Sequence, residues 1–490
     1  MEGYTTEPTL KAKTSKIAFA SLLLMIIGFF VPTIRIATLL LTLAVVSGIA
    51  AIVKIKRSNG RLTGRWIAIL SITVSAILFL IAGVFCLLSL DAPPIPDDYT
   101  IADLRSAGPE YADSFKLLMM LADEEGADPN SGAAAGLSSH DVAVIENAYR
   151  TFFTDNHVNV SEISKEKAQS INRAWENAKK GRDIIDALGA FEEIADLTEP
   201  DILGELTSFY SLKYLADLYT TYACMKQSTS SSKESVQELI VMDAVFRKLG
   251  TNTRRSDLKL ICFLGLGKNI RAANFLLNDS RTSQESLELL AEHFKPLANE
   301  QVSCRNPIIF DYLESKKGLD EDIYKLLEND LAKRLRRSPI IKRNSTLKLS
   351  KNSCDYWINI DAGKDDWSAL SIWPSSYPGW LPSIPPDWSK IPRYYFIYNP
   401  IGSLLVTVST RSFERFVENK TSLRILDDLL QIVLNTRLGR GASMKARVYS
   451  DEYIIDVENK IIFSPGPDGE SYTKDDIKLP INPEVLNLTQ

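Results

Sequence analysis

Apolar and polar positions follow three different patterns along this chain. Before residue 91 the apolar positions run together in three stretches, Ile17–Ile34, Ile36–Val53 and Trp66–Leu90. Each is about long enough to cross a ~30 Å hydrocarbon layer as a helix. One such stretch alone would equally suit a buried core helix. Three in succession, interrupted only by Pro32-Thr33-Ile34-Arg35 and by a basic loop, predict a three-span transmembrane domain over 17–90 behind a short N-terminal segment, 1–16. A cleaved signal peptide would account for the first stretch and leave the other two unexplained.

Asp91 to Asp98 is proline-rich and reads as a linker, 91–99. From Thr100 to Arg343 the apolar spacing becomes helical. Thr100 and Asp103 form a capping pair. Helices are predicted over His140–Thr154, Glu162–Lys179 and Arg182–Asp196, with a Gly/Ala/Asp/Ser-rich loop before them at Ala122–Ser139. A further helix, Thr207–Lys226, carries Phe209, Leu212, Ala216, Tyr219 and Ala223 on one face. Ser231 and Glu234 cap the next, which ends before Gly250; a third spans Asp257–Leu277, and Thr282 with Glu285 caps a fourth. These read as two helical hairpins.

Beyond Arg343 the pattern changes again. Five of the seven tryptophans (Trp357, Trp367, Trp373, Trp380 and Trp388) lie between Asp355 and Pro400. Tyr395–Asn399 and Leu404–Val408 read as short strands, Glu414–Leu438 as a helix, and Ala446–Ile455 with Lys460–Phe463 as a hairpin. The expected fold class is therefore a membrane-anchored, mainly α protein. It has three transmembrane helices, an extracytoplasmic helical-hairpin domain over 100–343, and a smaller aromatic-rich α+β domain over 344–490.

Composition alters this picture mainly through charge. The 45% apolar and 24% charged fractions are ordinary for a globular chain. The first 90 residues, however, hold nine Lys/Arg against two Asp/Glu, leaving 47 basic and 59 acidic residues in the rest, a net charge of −12. That balance argues against nucleic acid as a partner. Lys11, Lys13 and Lys16 precede the first stretch, and Lys54, Lys56, Arg57, Arg61 and Arg65 fill the loop between the second and third, whereas Arg35 stands alone between the first and second. The positive-inside rule then sets the N-terminus and the basic loop in the cytoplasm and residues 91–490 outside it, in a multi-pass inner-membrane protein. Its expected partners are the lipid bilayer and an envelope protein.

Candidate chemistry is sparse. Cys86 falls in the third apolar stretch. Cys224, Cys262, Cys304 and Cys354 lie on the expected oxidising side, as two structural disulfides or as four buried free thiols. None forms a CxxC. The three histidines, His140, His157 and His293, have no ligand or triad partners at a recognisable spacing. Gly265-Leu266-Gly267-Lys268 lacks the spacing of a phosphate loop and reads as helix packing. Asp365-Asp366-Trp367 and Asp387-Trp388 set acids beside aromatics, as sugar sites do, although the same residues suit a structural wrap.

Two segments resemble known families. The run from Lys13 to Phe30, with LAVVSGIAAIVKIKRSNGRLTGRWIAILSITVSAILF, resembles the bacterial domain of unknown function 4190 over residues 14–85. That resemblance implies a bacterial membrane anchor and no catalytic residue. Ser464, Gly466, Asp468, Gly469, Asp476 and Ile477 resemble the closing loop of type II secretion major pseudopilins, and imply a calcium ion. Asp468, Asp475 and Asp476 are the carboxylates such a hard cation would use. The chain as a whole is similar to uncharacterised membrane-anchored proteins of planctomycete-like bacteria. The expected role is extracytoplasmic binding or scaffolding without a catalytic set. The alternative is a glycan-acting envelope enzyme or carbohydrate-binding protein using segment 355–400.

Overall fold

The structure, a computed structural model, describes residues 13–30, 34–58, 61–89, 93–95, 98–105, 108–123, 132–153, 163–200, 208–229, 232–319, 342–363 and 400–488. The protein is mainly helical, with a small sheet near its C-terminus. It divides into two compact units, one of Met1–Ala92 with Ser338–Lys342 and one of Pro93–Arg337 with Arg343–Gln490.

In the first unit α1 (Lys16–Phe30), α2 (Ile34–Arg57) and α3 (Arg65–Ser89) pack on one another. The contacts are made by small residues. Ala18, Ala51 and Ala68 form the centre, and Ser21, Ser71 and Ser75 are buried with them. Ser21 Oγ donates to the Ala44 carbonyl at 2.9 Å and lies 2.6 Å from Ser71 Oγ. A Cβ at Gly48 would stand 2.7 Å from Ile72 Cγ1, so glycine is what lets α2 and α3 approach so closely. The large apolar side chains face outward instead: Phe19, Leu23, Leu39, Val46, Leu70 and Leu80 are all at least half exposed. A water-soluble bundle buries such residues and exposes polar ones. Here the order is reversed.

A two-residue strand, β1 (Lys13–Thr14), pairs in parallel with β2 (Leu62–Thr63). This holds the N-terminal flank beside the α2–α3 loop, so the basic residues of both gather at one end of the bundle. Among the described residues, two helical segments are long and apolar enough to cross a membrane: Leu39–Arg57 here and Ser256–Leu277 in the second unit. The second is 67% buried and is a core helix. Among the described residues, Lys16–Gly28 of α1 and Arg65–Ile81 of α3 are further apolar helical segments.

The second unit contains α4 (Ala112–Met119), α5 (Ser139–Phe153), α6 (Lys165–Asn177), α7 (Lys179–Ala190), α8 (Tyr210–Thr229), α9 (Ser232–Asn252) and α10 (Ser256–Leu277). It continues with α11 (Gln284–His293), α12 (Asn299–Val302), α13 (Arg305–Lys317), α14 (Arg343–Asp361) and α15 (Pro400–Arg437). Helices α8, α9 and α10 pack mutually at its centre, and α8 is buried on every side from Ser211 to Met225. Strands β3 (Ile454–Asp456), β4 (Ile461–Ser464) and β5 (Ile477–Pro480) form an antiparallel meander with β4 in the middle. The apolar run Ile461–Phe463 is buried there, in the central strand, which also packs against α15.

Several expectations change. A domain boundary near residue 345 has no counterpart, since α15 packs against α10 and α14. Asn274 Nδ2 also donates to the Pro480 carbonyl at 2.8 Å, and the Asn482 amide to Asn278 Oδ1 at 2.5 Å, which ties the sheet to α10. Leu404–Val408 belongs to helix α15, not to a strand. The expected hairpin is real only over its last residues, and it has a third strand, β5. Thr100 and Asp103 do cap, with Asp103 Oδ2 accepting the Thr100 amide at 2.8 Å, but they cap one 3₁₀ turn. The linker ends early: Asp98 pairs with Lys316 at 2.6 Å, and the Tyr99 hydroxyl donates to Asp355 at 2.5 Å. Tyr395–Asn399 lies outside the described residues.

Candidate functional site

Four stretches of the second unit enclose a cavity of about 1030 Å³: Pro296–Arg305, the end of α14, the middle of α15, and Ala442–Tyr453. Helix α14 stops there because Gly363 turns left-handed at φ +70°. Its last residue, Asp361, is a junction. Oδ1 accepts the Cys304 amide at 3.0 Å and Oδ2 the Ser303 hydroxyl at 2.7 Å. Lys420 of α15 donates to Oδ1 at 2.5 Å and to the Asp361 carbonyl at 2.6 Å. Both side chains of this ion pair are more than nine-tenths buried, so each charge is spent on the other.

Lys420, Arg424 and Asp428 follow one another at four-residue spacing and therefore share one face of α15. Asp428 takes a two-pronged contact from Arg447, at 2.6 Å from Nε and 3.0 Å from Nη2, and the Tyr453 hydroxyl at 2.7 Å. These bonds draw segment 442–453 across the helix. The hydrogen bond to Asp428 also raises the already high pKa of Arg447. Arg424 differs from its neighbours. Its Nη2 donates to Asn299, its Nε is buried with no hydrogen-bond partner among the described residues, and no described carboxylate lies within ion-pair distance. Burial, then the nearby Arg447 charge, lowers its pKa. Lys445 stands exposed at the rim and likewise has no ion-pair partner among the described residues. Ile358, Ile425, Ile432 and Val448 supply apolar wall.

Next to this face, Asp427 is almost fully buried and accepts the Leu297 amide at 2.7 Å. Burial pushes its carboxyl up to about 6. Within α9, Asp243 pairs with Arg247 at 2.5 Å, and its pKa too is raised by burial.

The residues singled out in the sequence lie elsewhere. Asp468, Asp475 and Asp476 fall in the β4–β5 loop, which is closed on itself. Asp468 Oδ1 accepts the Glu470 amide at 2.8 Å, and the Thr473 hydroxyl lies 2.6 Å from Asp475 Oδ1 and 3.2 Å from Asp476 Oδ1. Among the described residues, no group of three or more His, Cys, Asp or Glu side chains is placed to hold a metal ion.

Cys224, Cys262, Cys304 and Cys354 are buried free thiols, the second of the two alternatives the sequence left open. Each faces its own surroundings: Cys262 Sγ lies 3.9 Å from the Thr253 hydroxyl, Cys304 Sγ 3.8 Å from the Val302 carbonyl, and Cys354 Sγ 3.8 Å from that of Ile308. Burial pushes the Cys262 thiol up to about 12 and raises the other three, which leaves them unreactive. His293 sits exposed at the end of α11.

Gly265 lies inside α10 against the Phe246 ring, and Lys268 pairs with Asp217, so that motif is helix packing. Trp357 is buried in α14, while Asp365, Asp366, Asp387 and the other four tryptophans of 355–400 lie outside the described residues. The cavity escaped sequence reading because its walls come from four separate stretches spread between Pro296 and Tyr453. The readable trace was the four-residue spacing of Lys420, Arg424 and Asp428.

Compared with protein-family models, curated proteins and solved structures, the chain matches none of them.

Proposed function

We propose that this chain is a membrane-anchored binding protein: its first unit sits in a bilayer, and its second is a water-facing domain that binds through the α14–α15 cavity. The observation that carries the anchor is the reversed packing of the first unit, small and hydroxyl-bearing residues inside and large apolar ones outside. That is how helices associate where lipid is the solvent. The basic residues gathered at one end of the bundle by the β1–β2 pair support a cytoplasmic N-terminus and loop, with residues 91–490 on the other side. The resemblance of residues 14–85 to domain of unknown function 4190 agrees with this anchor. Binding or scaffolding at the envelope is favoured because the cavity is of a size that takes a small molecule, and the Lys420–Asp361 and Arg447–Asp428 pairs brace its walls.

Alkaline carbonate extraction of membranes from cells expressing the full chain tests the anchor. Retention in the membrane pellet is expected. Release into the supernatant would contradict it.

A further inference from the structure

The charge balance of the cavity names a class of ligand. Its lining holds five cationic side chains, Arg305, Lys420, Arg424, Lys445 and Arg447, against three acidic ones, Glu300, Asp361 and Asp428. Lys420 is spent on Asp361 and Arg447 on Asp428. That leaves Arg305, whose Nη1 donates to the Asp103 carbonyl, together with Arg424 and Lys445, none in an ion pair among the described residues, against one exposed acid, Glu300. We propose that the cavity takes a small organic anion, a phosphoryl or carboxylate group on a partly apolar body, with Arg424 and Lys445 as its charge partners. This rests on the reading of the second unit as a binding domain.

Three features favour that ligand over a neutral one. Arg424 is a partly buried cation whose charge costs desolvation, and an anion entering the cavity offsets that cost while an uncharged molecule does not. Arginine and lysine give charge-assisted hydrogen bonds, roughly twice as strong as neutral ones. The cavity, at about 1030 Å³, is also far larger than a bare inorganic ion needs, and Ile358, Ile425, Ile432 and Val448 offer apolar surface for the remainder of the molecule. Asp361 and Asp428 are each neutralised by a cation in hydrogen-bond contact, and the third lining acid, Glu300, is solvent-exposed, so that the lining keeps a net positive charge.

The test is calorimetric titration of the full-length protein in detergent micelles, at constant ionic strength, with pyrophosphate, citrate and uncharged cellobiose. Saturable heat is expected from at least one of the two anions, and which one responds separates a phosphoryl from a carboxylate ligand. Arg424→Gln and Lys445→Gln are each expected to weaken that binding about tenfold or more. Lys116→Gln, at an exposed side chain of α4, which does not line the cavity, is expected to leave it unchanged. Lys445 is exposed, so its variant keeps the test decisive even where Arg424→Gln disturbs the fold. Heat from cellobiose alone, or anion binding unaltered in both cavity variants, overturns the anionic assignment and leaves the binding reading standing. Silence with all three probes overturns both.

Discussion

At the scale of single residues, burial shifts the titration of several groups in the second unit. Asp427 is the clearest. Its carboxyl is raised to about 6 by burial, with Asp428 and Asp243 adding to the rise and the Leu297 amide and Arg247 opposing it. An acid whose folded pKa exceeds its unfolded one binds its proton more tightly when folded. The resulting stability is fully present below pH about 4 and is lost as pH rises through 6. Asp427→Asn keeps an acceptor for the Leu297 amide and removes the titration. Denaturant unfolding between pH 4 and 7 should therefore fall less steeply in the variant, by on the order of 3 kcal/mol over that range. An identical pH slope in the two proteins would contradict the burial assigned to Asp427. The cysteines follow the same logic, since side chains enclosed by helix interiors stay as thiols however oxidising the compartment outside.

At the scale of elements, close helix approach depends on glycine. A Cβ on Gly265 would lie 2.3 Å from a ring carbon of Phe246, so α9 and α10 meet at a distance that alanine does not permit. Gly265→Ala is expected to destabilise the second unit by about 1–3 kcal/mol through overpacking, and Phe246→Leu in the same chain to restore part of that loss. Thermal unfolding of the parent, the single and the double variant measures both. A double variant no more stable than Gly265→Ala alone would place the strain elsewhere.

The sequence was most legible where local signals and packing agree. Helices α8 to α11 begin within three residues of their expected starts, although the cap of α11 is Ser283, which accepts the Ser286 amide at 3.2 Å, and not Thr282, whose hydroxyl donates to the Leu276 carbonyl. It was least legible where they conflict. Leu404-Leu405-Val406-Thr407-Val408 is a β-branched run with strand propensity, yet it extends a 38-residue helix whose later turns are fixed against α10 and α14. Helix α14 carries Ser, Asn, Lys and Asp along most of its length and gave little periodic signal before Trp357 and Ile360. The Asp-rich β4–β5 loop was visible as a turn. What the sequence does not carry is that its carboxylates accept bonds from the loop's own Glu470 amide and Thr473 hydroxyl.

At the scale of the whole molecule, the two units solve opposite problems. The second buries Leu, Ile, Phe and Tyr around α8, α9 and α10 and keeps its unspent cations in a cavity. The first hides alanine, serine and glycine and displays Leu, Ile and Phe. The outward-facing large apolar side chains and the basic end of the bundle are the two observations on which the proposed bilayer anchor and its orientation rest. The most direct measurement is labelling of introduced cysteines by a membrane-impermeant maleimide on bacterial spheroplasts, with the buried native thiols of the second unit as a silent background. Glu470→Cys, exposed in the β4–β5 loop, is predicted to label in intact spheroplasts, and Ser58→Cys, in the α2–α3 loop, only after permeabilisation. Labelling of Ser58→Cys in intact spheroplasts with Glu470→Cys protected would contradict the account.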